Sequence, residues 1–290
     1  MHTINKILFV VGAVAALSGC AEVANKPASK SVSAITPAST SASTATNLDA
    51  VLAGDWRSDK NKARDQYRHP KQTLDFLGVK PTQTVIELVP GGGWYTEVLA
   101  PWIKDSGHYI AAMGRPSRPN GEAARALDAM NKRIVEHPAQ FGAVQIVQFD
   151  AKAPEFGPPG SADVVLTFRN VHNWTDDDIA EGMFKAMYAV LKNGGTLGVV
   201  DHRAKPGTTL AANKETGYLP TEVVVKLATD AGFKLVAESE INANPKDTKD
   251  YPKGVWTLPP TFAQKDADHD KYAAIGESDR MTLKFVKPAK

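Results

Sequence analysis

Between residues 84 and 287, short apolar runs alternate with helix-like segments, and this alternation constrains the fold more than any other feature of the chain. The runs are TVIELV (84–89), HYIAAM (108–113), VQIVQF (144–149), ADVVLTF (162–168), GTLGVVD (195–201), FKLVAESE (233–240) and RMTLKFVK (280–287). Several are apolar at consecutive positions, so as strands they need cover on both faces. Helical patterns at 94–103, 121–137, 175–192 and 220–232 supply it. The order predicts an α/β protein with a mostly parallel sheet and helices on both sides. In the third of these helices Thr175 stands as N-cap and Gly194 as stop. Pro101 should kink or end the first. Upstream, 59–69 reads as a polar helix stopped by Pro70, and 71–79 places Leu74 and Leu77 at helical spacing before Gly78.

The composition permits such a core. Of 290 residues, 42% are hydrophobic and 23% charged. A net charge of +2 gives no electrostatic case for a nucleic-acid partner. The one cysteine, Cys20, excludes a disulfide within the chain and a cysteine-based zinc site. No metal site is expected.

The stretch VIELVPGGGWYTE, 85–97, sits where the first strand turns into the first covering helix. Glycines there let the backbone approach a ligand closely. The dinucleotide fingerprint fits at Gly91 and Gly93 but has Thr96 at its third position. Arg115 and Arg118, beyond the second strand, leave a phosphorylated nicotinamide cofactor conceivable. A phosphate-binding loop fails, because Trp94 and Tyr95 replace its lysine and hydroxyl residue.

The third reading rests on landmarks in order. Glu87-Leu88-Val89-Pro90-Gly91-Gly92-Gly93 resembles the acid and glycine turn of class I S-adenosylmethionine-dependent methyltransferases, departing at Val89, where a glycine belongs. Phe149-Asp150-Ala151 resembles the end of that family's third strand, and Ala162 to Leu166 its fourth. Leu191-Lys192-Asn193-Gly194-Gly195-Thr196-Leu197 resembles the turn before the fifth, and Glu222 to Phe233 the helix before the sixth. The resemblance covers 85–287 and is closest to a group known only as predicted methyltransferases. It implies a Rossmann-like sheet of seven strands with the last antiparallel, and S-adenosyl-L-methionine as cofactor. By resemblance the cofactor wall comprises Glu87, Pro90, Gly91, Gly92, Gly93, Met113, Asp150, Ala151, Arg169 and Asn170. Met113 stands where the family has an acid for the ribose hydroxyls, so that interaction has to come from elsewhere. Tyr67, Arg68 and His69 precede the first strand and either fold over the cofactor or end a solvated helix.

Ligands in open α/β sheets bind past the carboxyl ends of the strands. There the chain reads Arg169-Asn170-Val171-His172-Asn173-Trp174 and Asp201-His202-Arg203. His172 is the candidate general base toward a small-molecule acceptor, with Asp201 or His202 orienting it and Trp174 walling the site. The plainer alternative has His172 and Trp174 packing the turn while Asn173 and Thr175 cap the next helix.

Residues 241–279, between the last two strands, far exceed a hairpin and carry Tyr251, Trp256, Pro259, Pro260, Phe262 and Tyr272. This predicts a lid over the cleft. Within it Asp266, Asp268, Asp270 and Glu277 match calcium-loop positions, yet Lys271 replaces the turn glycine, favouring a solvated acidic stretch that opens a helix.

The N-terminus points elsewhere. Lys6 precedes an apolar run at 7–17, too short to span a bilayer, and Leu17-Ser18-Gly19-Cys20 resembles a bacterial lipobox. The expectation is a signal peptide over 1–19, acylation at Cys20, an Ala/Ser/Thr-rich tether over 20–47 and a folded domain over 48–290. The protein would then face the periplasm from a membrane, the outer one given Ala21. Export separates it from cytoplasmic cofactor synthesis. A second function therefore stands beside methyl transfer: a small-molecule binder that keeps the fold without the chemistry.

Overall fold

The computed structural model describes residues 47–289. Cys20, the signal segment and the tether up to residue 46 lie outside the described residues. Among the described residues no helix is long and apolar enough to cross a membrane.

Seven strands form one sheet: β1 (Thr84–Leu88), β2 (His108–Gly114), β3 (Gln145–Phe149), β4 (Ala162–Phe168), β5 (Leu191–His202), β6 (Lys234–Ser239) and β7 (Arg280–Val286). Their order is β3-β2-β1-β4-β5-β7-β6. Pairings from β3 through β5 are parallel, and β7 enters antiparallel between β5 and β6. The sheet is the one expected from the sequence.

The helices are α1 (Leu48–Ala53), α2 (Asp59–Lys62), α3 (Asp65–Arg68), α4 (Pro70–Leu77), α5 (Thr96–Ile103), α6 (Glu122–Glu136), α7 (Pro138–Phe141), α8 (Val171–Asp176), α9 (Ala180–Val190), α10 (Leu210–Asn213), α11 (Thr221–Asp230) and α12 (His269–Ile275). Strand side chains alternate between two cores. Ile86, Leu88 and Val165 join Met183, Phe184 and Met187 of α9 and Val224 and Ala228 of α11. Val85, Val164 and Leu166 join Leu74 and Leu77 of α4 and Val98, Leu99 and Ile103 of α5. Each large apolar side chain so buried contributes about 1.5–3 kcal/mol.

Two helix expectations need correction. The helix expected over 59–69 is two short ones, α2 and α3, and His69 turns left-handed at φ 42°. A helix does end just before Pro70, as expected, and Pro70 also opens α4, because its fixed φ suits a first turn and its missing N–H has no partner to lose. The helix expected over 175–192 is α8 and α9, broken where Asp178 adopts φ 58°. Aspartate tolerates that conformation. Thr175 is accordingly no N-cap; its hydroxyl donates to the His172 carbonyl at 2.7 Å. Pro101 lies inside α5 without ending it. The Glu97 carbonyl that an N–H at 101 would have met accepts Trp56 Nε1 at 3.0 Å instead.

Candidate functional site

The order β2-β1-β4 reverses at the carboxyl ends of β1 and β4, the place where open α/β sheets form a crevice. A cleft of about 740 Å³ opens there. Its floor is the turn after β1: Val89, Pro90, Gly91 and Gly92, with Trp94 and Tyr95 following. Gly91 and Gly93 take left-handed φ of 56° and 79°. A Cβ built at Gly91 or Gly92 would meet nothing, so the floor presents bare backbone. At Gly93 it would strike Arg133, whose Nη2 donates to the Gly92 carbonyl and Glu97 Oε1, both at 3.1 Å. Val89 adopts φ 47°, in the left-handed region that favours glycine.

Glu87 lines this cleft yet is only 2% exposed. Its Oε2 accepts from the Thr96 hydroxyl at 3.1 Å and from the Tyr109 hydroxyl. Burial raises the Glu87 carboxyl to about 7, against the lowering pull of Tyr109 and Thr96. Tyr95 stacks on Phe168 with centroids 3.5 Å apart, and both line the cleft.

Past β4 the backbone of Arg169 is left-handed at φ 61°. Asn170 Nδ2 donates to the Leu88 carbonyl at 2.9 Å and Thr167 Oγ1 at 3.1 Å, locking the ends of β1 and β4 together. Arg169, Asn173 and Trp256 also line a smaller pocket of about 140 Å³ next to the cleft, shared with His172, His202, Glu277 and Ser278.

In that pocket His172 Nδ1 bonds Asp201 Oδ1 at 2.8 Å. Asp201 is fully buried and also accepts the backbone N–H of Val171, His172 and His202 at 2.7, 3.3 and 2.8 Å. A carboxylate so placed accepts the Nδ1 proton and leaves His172 Nε2 as the acceptor of its ring. The His172 and His202 rings are 5.0 Å apart, and Trp256 stands 6.1 Å from His172. His202 Nδ1 bonds Ser278 Oγ. Burial, then His172, Arg169, Arg280 and Arg68, push the His202 imidazole well below its usual value, so it is neutral at pH 7. Ligand atoms of His172, Asp201 and His202 lie within 4.8 Å of one another, a spacing that could hold a cation. Both Asp201 oxygens are already engaged, and Arg169 lines the same pocket, which disfavours one.

Of the residues expected to meet the cofactor, Glu87, Pro90, Gly91, Gly92, Met113, Ala151, Arg169 and Asn170 line the cleft. Gly93 and Asp150 are not among its walls. Asp150 is exposed, and its Oδ1 accepts the Lys152 N–H at 2.9 Å, closing its own turn. Arg68 lines the cleft, whereas Tyr67 and His69 do not, and Arg115 and Arg118 are exposed outside it. The acidic stretch Asp266, Asp268 and Asp270 is exposed, while Glu277 is buried on arginines instead of completing a calcium loop. Glu277, Ser278, Arg64 and Glu122 escaped sequence reading as wall residues. Arg64 meets Glu277 across 213 positions, and no local pattern encodes such a contact.

No family model matches the chain. Over 129 residues it is 29% identical to the ubiquinone/menaquinone biosynthesis C-methyltransferase UbiE of Escherichia coli, covering 44% of this chain and 46% of that protein. The chain thus spans about half the length of the curated relatives it matches. Among solved structures, a SAM-dependent methyltransferase from Aquifex aeolicus aligns over 83% of this chain and 98% of its own, at 13% identity and TM-score 0.51. A putative sarcosine dimethylglycine methyltransferase from Galdieria sulphuraria aligns over 79% and 86%, at 12% identity and TM-score 0.54. The fold is that of the class I methyltransferases. The same fold serves the (4+2)-cyclase SpnF, which aligns over 84% of this chain and 93% of its own, at 16% identity and TM-score 0.54.

Proposed function

We propose that the protein is an S-adenosylmethionine-dependent methyltransferase that modifies a small molecule held in the pocket beside the cofactor cleft. One observation carries this reading: the cleft on the glycine turn runs into a pocket where a buried carboxylate orients a histidine, with Arg169, Asn173 and Trp256 common to both. The residues fit the cofactor. Gly91 and Gly92 offer open backbone, and Val89 takes a left-handed backbone that favours glycine despite its side chain. Met113 leaves the ribose without its usual acid, but Glu122 at the start of α6 is a carboxylate on the same cleft.

The bound cofactor supplies an electrophilic methyl group on a cationic sulfonium. The protein contributes alignment, which accounts for much of the rate in such transfers. Trp94, Tyr95, Phe168 and Trp256 restrict water at the junction. His172 Nε2 takes the acceptor's proton as the methyl bond forms, and Asp201 holds the ring in that tautomer. Neutral His202 and Ser278 position the acceptor. Residues 241–279 act as the lid, contributing Trp256, Pro259 and Pro260 to the pocket. Cys20 carries acyl chains and holds the domain at a membrane, facing the periplasm, with no nucleic acid among its partners.

Calorimetric titration with S-adenosylmethionine and turnover of an envelope extract with labelled cofactor test this. His172→Ala should lower turnover on the order of 10²–10⁴-fold with cofactor affinity kept. Unchanged turnover would remove His172 from the mechanism. The Val89 and Met113 departures favour one second reading, a binder without chemistry. Cofactor binding without turnover of any extract component would support it.

A further inference from the structure

Arg169 stands between the cleft and the pocket and lines both. Its Nε is buried without a hydrogen-bond partner, and among the described residues its guanidinium makes no hydrogen bond or ion pair. The arginines around it are already committed. Arg64 Nε meets Glu277 Oε1 at 2.6 Å, and Arg68 Nε and Arg280 Nη1 each meet Oε2 at 3.1 Å. Three guanidinium groups therefore share the Glu277 carboxylate, and Arg169 adds a fourth beside it; against Glu277 and Asp201, the two carboxylates that act on Arg169, this is an excess of two positive charges. The excess is not satisfied internally: Nη2 of Arg64 and of Arg68 are also buried without partners. Arg68 is 3% exposed.

A cation kept from water without a partner costs stability. Burial pushes the Arg169 guanidinium down to about 10, with Glu277 opposing and Arg280 and Arg64 adding to the effect, so the group stays charged at neutral pH. Its backbone adds strain, because a left-handed φ of 61° is unfavourable for a residue with a long side chain. Two local costs at one residue facing two cavities mark a group held ready for a ligand. A planar guanidinium matches a carboxylate with two parallel hydrogen bonds.

Accepting the methyltransferase reading above, we propose that the molecule in the small pocket is a carboxylic acid and that Arg169 pairs with its carboxylate beside His172. The acceptor's reacting atom then faces the cleft across Arg169, while Arg64 and Arg68 keep the surrounding field positive. The competing source of a carboxylate is the amino-acid part of the cofactor itself.

The test uses the purified full chain in detergent, with benzoate and its neutral isostere benzamide as probes, followed by ligand-observed NMR. S-adenosylhomocysteine and 5′-methylthioadenosine, which lacks the amino-acid carboxylate, are titrated separately. The variants are Arg169→Asn, because asparagine accepts the left-handed backbone, and Arg169→Lys, which keeps the charge and loses the fork. Benzoate should bind the wild type at least tenfold more tightly than benzamide. Arg169→Asn should erase that preference and Arg169→Lys restore part of it. Without ligand, Arg169→Asn should unfold at a higher temperature than wild type, since a partly buried cation with an unpartnered Nε and its left-handed backbone strain are gone. That rise separates a ligand-binding arginine from a structural one, whose removal would lower the midpoint. Equal binding of benzoate and benzamide would overturn the proposal. So would an Arg169→Asn variant that loses S-adenosylhomocysteine but not 5′-methylthioadenosine, because the anion would then be the cofactor's. Failure of wild type to bind either nucleoside, with the benzoate preference intact, would sink the methyltransferase reading and leave the carboxylate site standing.

Discussion

Glu87 and Glu277 are both buried carboxylates, and their surroundings drive them in opposite directions. Burial dominates at Glu87, raising its carboxyl from 4.5 to about 7. Burial would also raise Glu277, but Arg280, Arg68, Arg64 and Arg169 together hold it down at about 2. The signs follow from linkage. Glu87 keeps its proton in the fold while the unfolded chain releases it, so its contribution to stability is full below pH 4.5 and is lost as pH rises to about 7. Glu277 contributes above 4.5 and loses that contribution as pH falls towards 2. Urea unfolding against pH should therefore show stability falling on both sides of pH 4.5 from these two groups. Glu87→Gln should flatten the limb above 4.5, a change on the order of 3 kcal/mol, and leave the acid limb alone. An unchanged upper limb would mean Glu87 is ionised in the fold. Asp201 sets a further residue-scale expectation. Its two oxygens accept four N–H groups. Asp201→Asn turns one acceptor into a donor facing donors, so unfolding midpoints should show a loss of about 1–3 kcal/mol. Turnover should fall at least as far as in His172→Ala, because the ring loses its tautomer. A variant with normal stability and turnover would show that the pair orients nothing.

At the scale of elements, the connection between β6 and β7 does what the sheet does not require. Ser239 pairs with Thr282, so a tight turn could join the two strands. Instead the chain runs out through the 3-10 turn Gly254–Thr257 and α12 before returning with Glu277, Ser278 and Asp279. Val255 packs on Ala204 and Tyr218, and Trp256 reaches both cavities. Replacing 245–275 with a short Gly-Ser link should keep the sheet's circular dichroism and abolish ligand binding; unchanged binding would show that the segment covers nothing. The sequence made this segment visible through its length and aromatics. It also made visible the seven strands, because alternation and apolar runs are local properties. It hid the break between α8 and α9, because Asp178 adopting φ 58° answers to tertiary packing over an otherwise continuous helical pattern. The split of 59–69 at Ala63 and Arg64 keeps right-handed backbone and leaves no local signal either. The left-handed His69 separates α3 from α4, whose Leu74 and Leu77 pack in the core against the sheet.

At the scale of the whole molecule, the site joins parts of the chain that no short window connects. The glycine turn and the His172–Asp201 pair were legible, because each lies at a strand end where the fold class places ligands. The arginine cluster was not, since Arg64, Arg68, Arg169 and Arg280 come from α3 and its approach, the end of β4 and the start of β7, and meet only around Glu277. At the same scale, the proposed export sets the domain apart from a cofactor made in the cytoplasm. The apolar run at 7–17 and the single cysteine at 20 are the basis of the proposed membrane address, and both lie outside the described residues. If acyl chains at Cys20 are the anchor, nothing in residues 47–289 need touch the bilayer, and two or more chains are required to hold it firmly. Cys20→Ala should then move the protein from the membrane pellet to the soluble fraction of lysed cells, with the unfolding midpoint of the domain unchanged. A variant that still sediments would transfer the membrane contact to the folded domain and leave the cysteine without a role.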